Sequence, residues 1–357
     1  MTKRQSGWLF LPTLLVALIG LQSAGQCEDS GPDFYATMEE MFPKWDRNHD
    51  GILGPREIKT AFQSQNTTGR AAAAIAVLQR IESRHFGHHE ELESFTLEQI
   101  MDMANKENPH HKGTKKTFES GLKKISAASP QLFAHGLPKM DEIRQNGAID
   151  CWFVCVVGAL AHQRPKELAS LIQPNDDGGY TVSFHDHKPV KVGSPSAGEL
   201  SSWNTNGGDG LWLPVLLKAY GKVQLAKNSD KNKVDPIEGV VTHGGSVGPV
   251  IKILTGHESE SKKPKAWGNN LRGRISDAFA KNHLVFVGVP GHVMAGYSYD
   301  SQTDQMQIWN PWGTSGNYKT LGAKMTNGLF SVPMSEIYAK CTHLVFEDVN
   351  PNHKHHK

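Results

Sequence analysis

Four cysteines in 357 residues are too few for a fold built on disulfides. The chain also lacks an excess of charge of either sign. Lys+Arg is 38 and Asp+Glu is 36, a formal net charge of +2. That excludes a broad basic surface for nucleic acid as the default reading. No long membrane span is evident: the apolar, uncharged run at residues 8–21 stops at 14 residues, short of the ~20 a spanning helix needs. Hydrophobic residues, at 38%, suffice for a packed core and are too few for a polytopic membrane protein. No repeat of solenoid period is present. In excess are Gly (35) and Pro (19), which predict many loops, and His (18). At about 100–200 residues per domain, the length predicts two domains or one with appendages.

The first residues read as an address. Lys3 and Arg4 precede the apolar run, and Ser23, Ala24 and Gly25 follow it. This is the three-part pattern of a secretory signal over residues 1–25. An uncleaved anchor is the alternative. Gln26, just before Cys27, is too large for a lipoprotein cleavage site. Removing the signal leaves 36 positive against 36 negative residues and no stable membrane span. The expected location is secreted or periplasmic/cell envelope, an oxidising compartment. Asn66-Thr67-Thr68 is then a glycosylation sequon.

Residues 26–130 read as a helical module. Phe34, Met38, Met41 and Phe42 recur at helical spacing, as do Ile58, Phe62 and the apolar run at residues 71–78. Leu97, Ile100 and Met101 continue the pattern, and a basic amphipathic helix is expected at 115–126. Residues 131–349 form a second domain, with strand-like runs at Leu284-Val285-Phe286-Val287 and Met306-Gln307-Ile308-Trp309. Residues 350–357 are a polar tail.

Residues 46–57 read Asp-Arg-Asn-His-Asp-Gly-Ile-Leu-Gly-Pro-Arg-Glu. This fits the calcium-loop pattern D-x-[DN]-x-[DN]-G-x5-E in full. Calcium is a hard ion that takes six to eight oxygens. Asp46, Asn48 and Asp50 supply side-chain oxygens, Gly51 the sharp turn, Ile52 a carbonyl, and Glu57 two closing oxygens. Gly54 leaves room for a water. Leu53 is apolar, as needed to pair with a second loop. The stretch resembles an EF-hand; the bland reading is a polar turn between helices. Residues 88–99 align as a degenerate second hand, with Phe95, Thr96 and Gln99 in register. His88 and Leu92 stand where acids belong.

In the second domain, Cys151 opens an apolar, helix-like run. Backbone N–H groups and the helix dipole at such a position lower a thiol's pKa, so a thiolate is expected. His292 is the candidate base and Asn310 its orienter. His292 lies about 140 residues after Cys151, within the ~130–150 range of papain-like enzymes, and Asn310 slightly beyond it.

Here the residues carry a resemblance. Gln145 and Asp150-Cys151-Trp152-Phe153 resemble the nucleophile motif of calpains. Gly291-His292 and Asn310-Pro311-Trp312-Gly313 resemble the other two active-site motifs, and residues 211–222 are similar to a calpain helix between them. Gly244-Gly245-Ser246 and Leu254-Thr255-Gly256 resemble the same middle region. The likeness runs from about residue 140 to 347. It implies an α+β fold: a papain-like core, with a helical and a β-sheet subdomain, preceded by an all-α EF-hand module. It implies cysteine endopeptidase activity on protein or peptide substrates. Cys151 is then the nucleophile, His292 its acid–base partner and Asn310 the orienter. Gln145 lines the oxyanion hole with the Cys151 N–H, and Trp312 shields the Asn–His hydrogen bond. Asn146 and Ile149 depart from the family, which carries glycine at both positions. Ca²⁺ is the expected cofactor, regulatory or stabilising.

The rival reading is a non-catalytic, calcium-dependent interaction protein with an inert core. A lone helix-start cysteine is usually a small core hydrophobe. The remaining histidine groups (His85, His88 and His89; His110 and His111; His185 and His187) lack ligand spacing and read as solvated loops. So does Lys262-Lys263-Pro264-Lys265. Cys155, one turn after Cys151, is expected on the packed side of the helix. With Cys151 free, Cys27, Cys155 and Cys341 allow at most one internal disulfide.

Overall fold

The computed structural model describes residues 33–84, 94–145, 150–202, 208–227 and 244–349. The signal-like segment, Cys27, the histidines at 85, 88 and 89, Leu92, Asn146, Ile149 and the polar tail lie outside the described residues. Among those described, the fold is mixed α+β.

The first half is helical. It runs α1 (Phe34–Trp45), β1 (Ile52–Leu53), α2 (Pro55–Gln63), α3 (Gly69–Arg84), β2 (Phe95–Thr96), α4 (Leu97–Asp102) and α5 (His111–Ala127). Most of the apolar positions that recur at helical spacing are buried, while Met41, Leu97 and Met101 are partly buried. Phe34, Met38, Phe42, Ile58, Phe62 and the alanine-rich stretch of α3 form one core with Phe95, Ile100 and Phe118. The basic helix expected at 115–126 is α5, which starts earlier, at His111.

The second half opens with α6 (Cys151–Gln163) and α7 (Pro165–Ser170), then a small antiparallel meander, β3 (Ile172–Pro174), β4 (Tyr180–Val182) and β5 (Val190–Val192). Helices α8 (Ala197–Ser202), α9 (Trp212–Lys227) and α10 (Val247–Thr255) follow, then β6 (Glu258–Lys262) and a 3-10 turn at Pro264–Asn270. Lys262 therefore closes a strand and Pro264 opens a helical turn, where the lysine run alone reads as a loop. The chain continues through α11 (Leu271–Ala280), β7 (Val285–Val289), β8 (His292–Asp300) and β9 (Gln305–Trp309). A hairpin of β10 (Gly316–Tyr318) and β11 (Ala323–Met325) precedes β12 (Leu329–Pro333), α12 (Met334–Lys340) and β13 (His343–Asp348). Six strands make one antiparallel sheet in the order β12-β9-β8-β7-β13-β6.

This sheet separates two apolar cores. One face packs on α11, α12 and the β10–β11 hairpin. The other packs on α6, α9 and α10. Helix α6 is apolar nearly all round, so it is buried rather than amphipathic. Every residue from Trp152 to Ala161 is buried. Its contact with the sheet is close: a Cβ on Gly158 would come 2.4 Å from the ring of Trp309 at the end of β9. At the far end of α6, Arg164 ties it to the sheet through Glu347, which is buried. Glu347 accepts from Arg164 Nη2 at 2.6 Å and from the Leu284 N–H at 2.8 Å, and it hydrogen-bonds His257 Nδ1 at 2.7 Å. Burial alone would raise this carboxyl's pKa. These partners reverse the effect and hold it below its usual value.

The chain's three described cysteines, Cys151, Cys155 and Cys341, are all free, so Cys155 and Cys341 are not joined. Cys155 is fully buried on the packed side of α6, as its spacing predicts. Among the described residues, no helix is long and apolar enough to cross a membrane.

The Gly158–Trp309 contact generates a test. Gly158→Ala inserts a methyl where the indole lies and is expected to cost about 1–3 kcal/mol of stability. An unchanged urea midpoint would show that the indole is free to retreat.

Candidate active site and metal loop

Cys151 is the first residue of α6, with Asp150 as N-cap. The sulfur lies against the start of β8, where a backbone hydrogen bond from Val293 reaches it. The residue before Val293 is His292. Two antiparallel neighbours therefore set the site: β8 brings His292, and β9 ends at Trp309, one residue before Asn310.

Asn310 is fully buried, and its backbone N–H donates to the Gly328 carbonyl at 2.8 Å. A hydrogen bond of 3.0 Å joins His292 Nε2 to Asn310 Oδ1. An amide oxygen can only accept, so Nε2 carries the proton. In the neutral ring Nδ1 is then the basic nitrogen. The Trp312 N–H donates to the same Oδ1 at 3.1 Å. The Trp312 indole stacks on the His292 ring, with centroids 4.6 Å apart and planes at 26°. It covers the imidazole on one side while remaining 43% exposed itself.

Gln145 reaches the same place by two bonds. Its backbone N–H donates to the Pro311 carbonyl at 2.8 Å. Its side-chain Nε2 donates to Asp150 Oδ1 at 3.1 Å. Asp150 is 1% exposed and makes no capping bond to its own helix. Gln145 is legible in the sequence, whereas Asp150 carries no role there although it stands inside the same motif. The Val293 N–H and the Pro311 carbonyl are backbone groups without a side-chain signal.

The electrostatics correct one expectation. Helix-start geometry predicts a thiolate, yet the Cys151 pKa is raised. Burial is the largest cause; the Val293 N–H opposes it, and the Asp150 carboxylate adds to it. The His292 pKa is lowered by burial, with the bond to Asn310 pulling the other way. Burial thus favours the neutral form of both groups, the thiol of Cys151 and the imidazole of His292.

The loop at residues 46–57 folds onto its own backbone. Asp46 Oδ2 accepts from the Gly51 N–H (3.0 Å), and Asn48 Oδ1 from the Asp50 N–H (3.1 Å). Asp50 Oδ1 accepts from the Ile52 N–H (2.9 Å), and Glu57 Oε1 from the Arg47 N–H (2.8 Å). Gly51 has φ +81°, the left-handed turn the motif requires. Leu53 pairs with Phe95 across β1 and β2, and both are buried. That is the register the second-loop alignment demands. At the second loop's last position, Gln99 Oε1 accepts from the Thr96 N–H at 2.8 Å, as Glu57 Oε2 accepts from Gly54 at 3.1 Å.

The oxygens of Asp46, Asn48, Asp50 and Glu57, with the Ile52 carbonyl, are a hard donor set of the kind Ca²⁺ takes. Asp46 Oδ1 is buried and has no hydrogen-bond partner among the described residues, an oxygen a cation would satisfy. The residues fit the ion in that respect. Among the described residues no three His, Cys, Asp or Glu side chains converge as a ligand group; in this loop the carboxylates rest on N–H groups. The described histidine groups, His110 with His111 and His185 with His187, form no such cluster either.

Protein-family models and curated proteins give no match to this chain.

The raised thiol and lowered imidazole predict the pH course of alkylation. Iodoacetamide attack on Cys151 is expected to climb with pH through a midpoint above that of an ordinary cysteine, about 8.5. A rate plateau extending down to pH 5 would mean a preformed thiolate–imidazolium pair instead.

Proposed function

We propose that this protein is a secreted, calcium-binding cysteine endopeptidase whose second half is a calpain-like member of the papain-like fold. The single observation that carries this reading is the His292–Asn310 hydrogen bond beside a helix-start cysteine. It leaves Nδ1 of the imidazole as the atom that can take a proton from the thiol.

In this mechanism the Cys151 proton passes to His292 Nδ1 as sulfur bonds the peptide carbonyl carbon. The carbonyl oxygen becomes anionic and is met by Gln145 Nε2 and the Cys151 N–H. Breaking the C–N bond releases the amine, which takes the proton back from His292. The acyl thioester is then hydrolysed by water, with His292 as base, and the thiol is restored. Asn310 keeps the imidazole in its working tautomer, and Trp312 shields that hydrogen bond from water. Because the resting pair is neutral, His292 acts as a general base during attack.

The helical first half is read as a pair of EF-hands, the second degenerate. Ca²⁺ would be held by Asp46, Asn48, Asp50, the Ile52 carbonyl and Glu57, stabilising the module or regulating the enzyme. The signal-like residues 1–25 support export to the secreted or envelope compartment. Substrates are proteins or peptides.

A second reading, a calcium-dependent interaction protein with an inert core, has one observation in its favour. Burial and Asp150 keep Cys151 protonated, which disfavours an unassisted nucleophile.

The readings part on two measurements. Cys151→Ala and His292→Ala are each expected to lower peptide hydrolysis by ~10⁴-fold or more with an unchanged melting temperature; no difference from wild type would support the inert core. Calcium titration of the full chain is expected to give one site, with Ca²⁺ at 100 times Kd stabilising by about 2.7 kcal/mol. Glu57→Gln is expected to weaken both effects. Equal hydrolysis in EGTA would limit calcium to a stabilising role.

A further inference from the structure

Asp150 is, among the described residues, a buried carboxylate at the candidate reaction centre to which neither the motif nor the mechanism above assigns a task. An aspartate at an N-cap normally turns its side chain onto the N–H groups of its own helix. Asp150 does not. Its Oδ1 instead accepts from Gln145 Nε2 at 3.1 Å, while the Gln145 backbone is tied to Pro311, two residues before Gly313 in the asparagine motif. The carboxylate is 1% exposed, so water does not compete for this bond.

A negative charge beside a nucleophilic thiol is costly for an enzyme. Asp150 opposes ionisation of Cys151, adding to what burial already does. An arrangement that raises the pKa of its own nucleophile needs a compensating gain in the transition state. The Gln145 amide offers one. A primary amide has two N–H bonds at a fixed angle. When Asp150 accepts one, the direction of the other is set, and a donor aimed in advance at a developing oxyanion costs no reorganisation during reaction.

Resting on the peptidase reading, we infer that Asp150 is a positioning residue: its carboxylate orients the Gln145 amide so that the second N–H meets the oxyanion beside the Cys151 N–H. It touches no substrate and acts through Gln145. Because an oxyanion forms only in the transition state, its effect falls on kcat and leaves KM nearly unchanged.

The test uses the full chain with Asp150→Ala, Asp150→Asn, Gln145→Ala and the double variant Asp150→Ala/Gln145→Ala. Kinetics on a fluorogenic peptide are read with active-site titration by a peptidyl vinyl sulfone and with the pH dependence of iodoacetamide alkylation. Asp150→Ala is expected to lose ~10²–10³-fold in kcat, the scale of a lost oxyanion donor, with KM within about threefold. The double variant is expected to be no slower than Gln145→Ala alone, since both remove the same interaction. Asp150→Asn keeps an acceptor oxygen of the same shape and is expected to recover at least a tenth of wild-type kcat. In both Asp150 variants the alkylation midpoint of Cys151 is expected to fall, with Cys155 and Tyr318 the other titrating groups that act on it and His292 adjoining Val293, which bonds its sulfur.

Losses that multiply in the double variant would overturn the proposal, because Asp150 would then act apart from Gln145. So would a loss confined to KM, or an Asp150→Asn variant as slow as the alanine. Where Asp150→Ala fails to fold, Asp150→Asn is judged against wild type, and a kcat below about a tenth of wild type overturns the proposal. A wild-type chain that neither cleaves peptide nor takes the vinyl sulfone would sink the peptidase reading, and this inference with it. A wild type active in both assays leaves the Asp150 result to be judged alone.

Discussion

The burial of α6 against the sheet is the constraint from which the site follows. Ten consecutive residues, Trp152 to Ala161, lie in the core. A helix held that way cannot shift its first residue without opening the packing along its whole length. Its start is where Cys151 stands, and its middle meets Trp309, the residue before Asn310. The same contact therefore locates both the sulfur and the amide that orients the imidazole. At the other end, Arg164 and Glu347 lock the helix to β13 by a buried ion pair, which is weak evidence for stability but gives a fixed alignment.

The chemistry of the site reflects a conflict between that burial and reactivity. Packing places Cys151 beside β8, and packing also desolvates it, so a thiol rather than a thiolate is favoured. The histidine is desolvated in the same way and stays neutral. Hydrogen bonds supply the opposing pull, from the Val293 backbone on the sulfur and from the Asn310 side chain on the ring. The balance favours the neutral form of each group.

What could be read from sequence was what is local or stands in a motif. The loop at 46–57 is legible because its oxygen-bearing side chains, its turn glycine and its apolar Leu53 are all within twelve consecutive positions, and the Leu53–Phe95 pairing follows from aligning the second stretch in register. The Cys, His and Asn positions are legible through ordered motifs, and the structure brings His292 and Asn310 into contact. The strand order of the sheet was not legible, because β6 and β13 neighbour each other across more than eighty positions. The sign of the Cys151 shift was misread for a related reason. A helix-dipole argument uses only neighbours in sequence, whereas burial, the largest cause of the shift, is set by the folded packing. Asp150 stands in the motif, but its bond to Gln145, in place of a capping bond to its own helix, is a property of the fold.

The two halves of the chain meet through α8. Ser196 Oγ donates to the Phe62 carbonyl at 2.6 Å, Gln65 Nε2 to the Ser194 carbonyl at 2.8 Å, and Lys124 Nζ to the Ser201 carbonyl at 3.0 Å. The approach is backbone to backbone: a Cβ on Gly198 would stand 2.4 Å from the Phe62 oxygen. Phe62 lies on α2, the helix that Glu57 helps to begin. Behind α8, Glu199 is fixed by Lys218 of α9 at 2.7 Å. The covalent connection between the halves is thus the least of what joins them. A protease that nicked the chain after α5 would leave two fragments still clasped at α8, so cutting there would not by itself set the helical half loose.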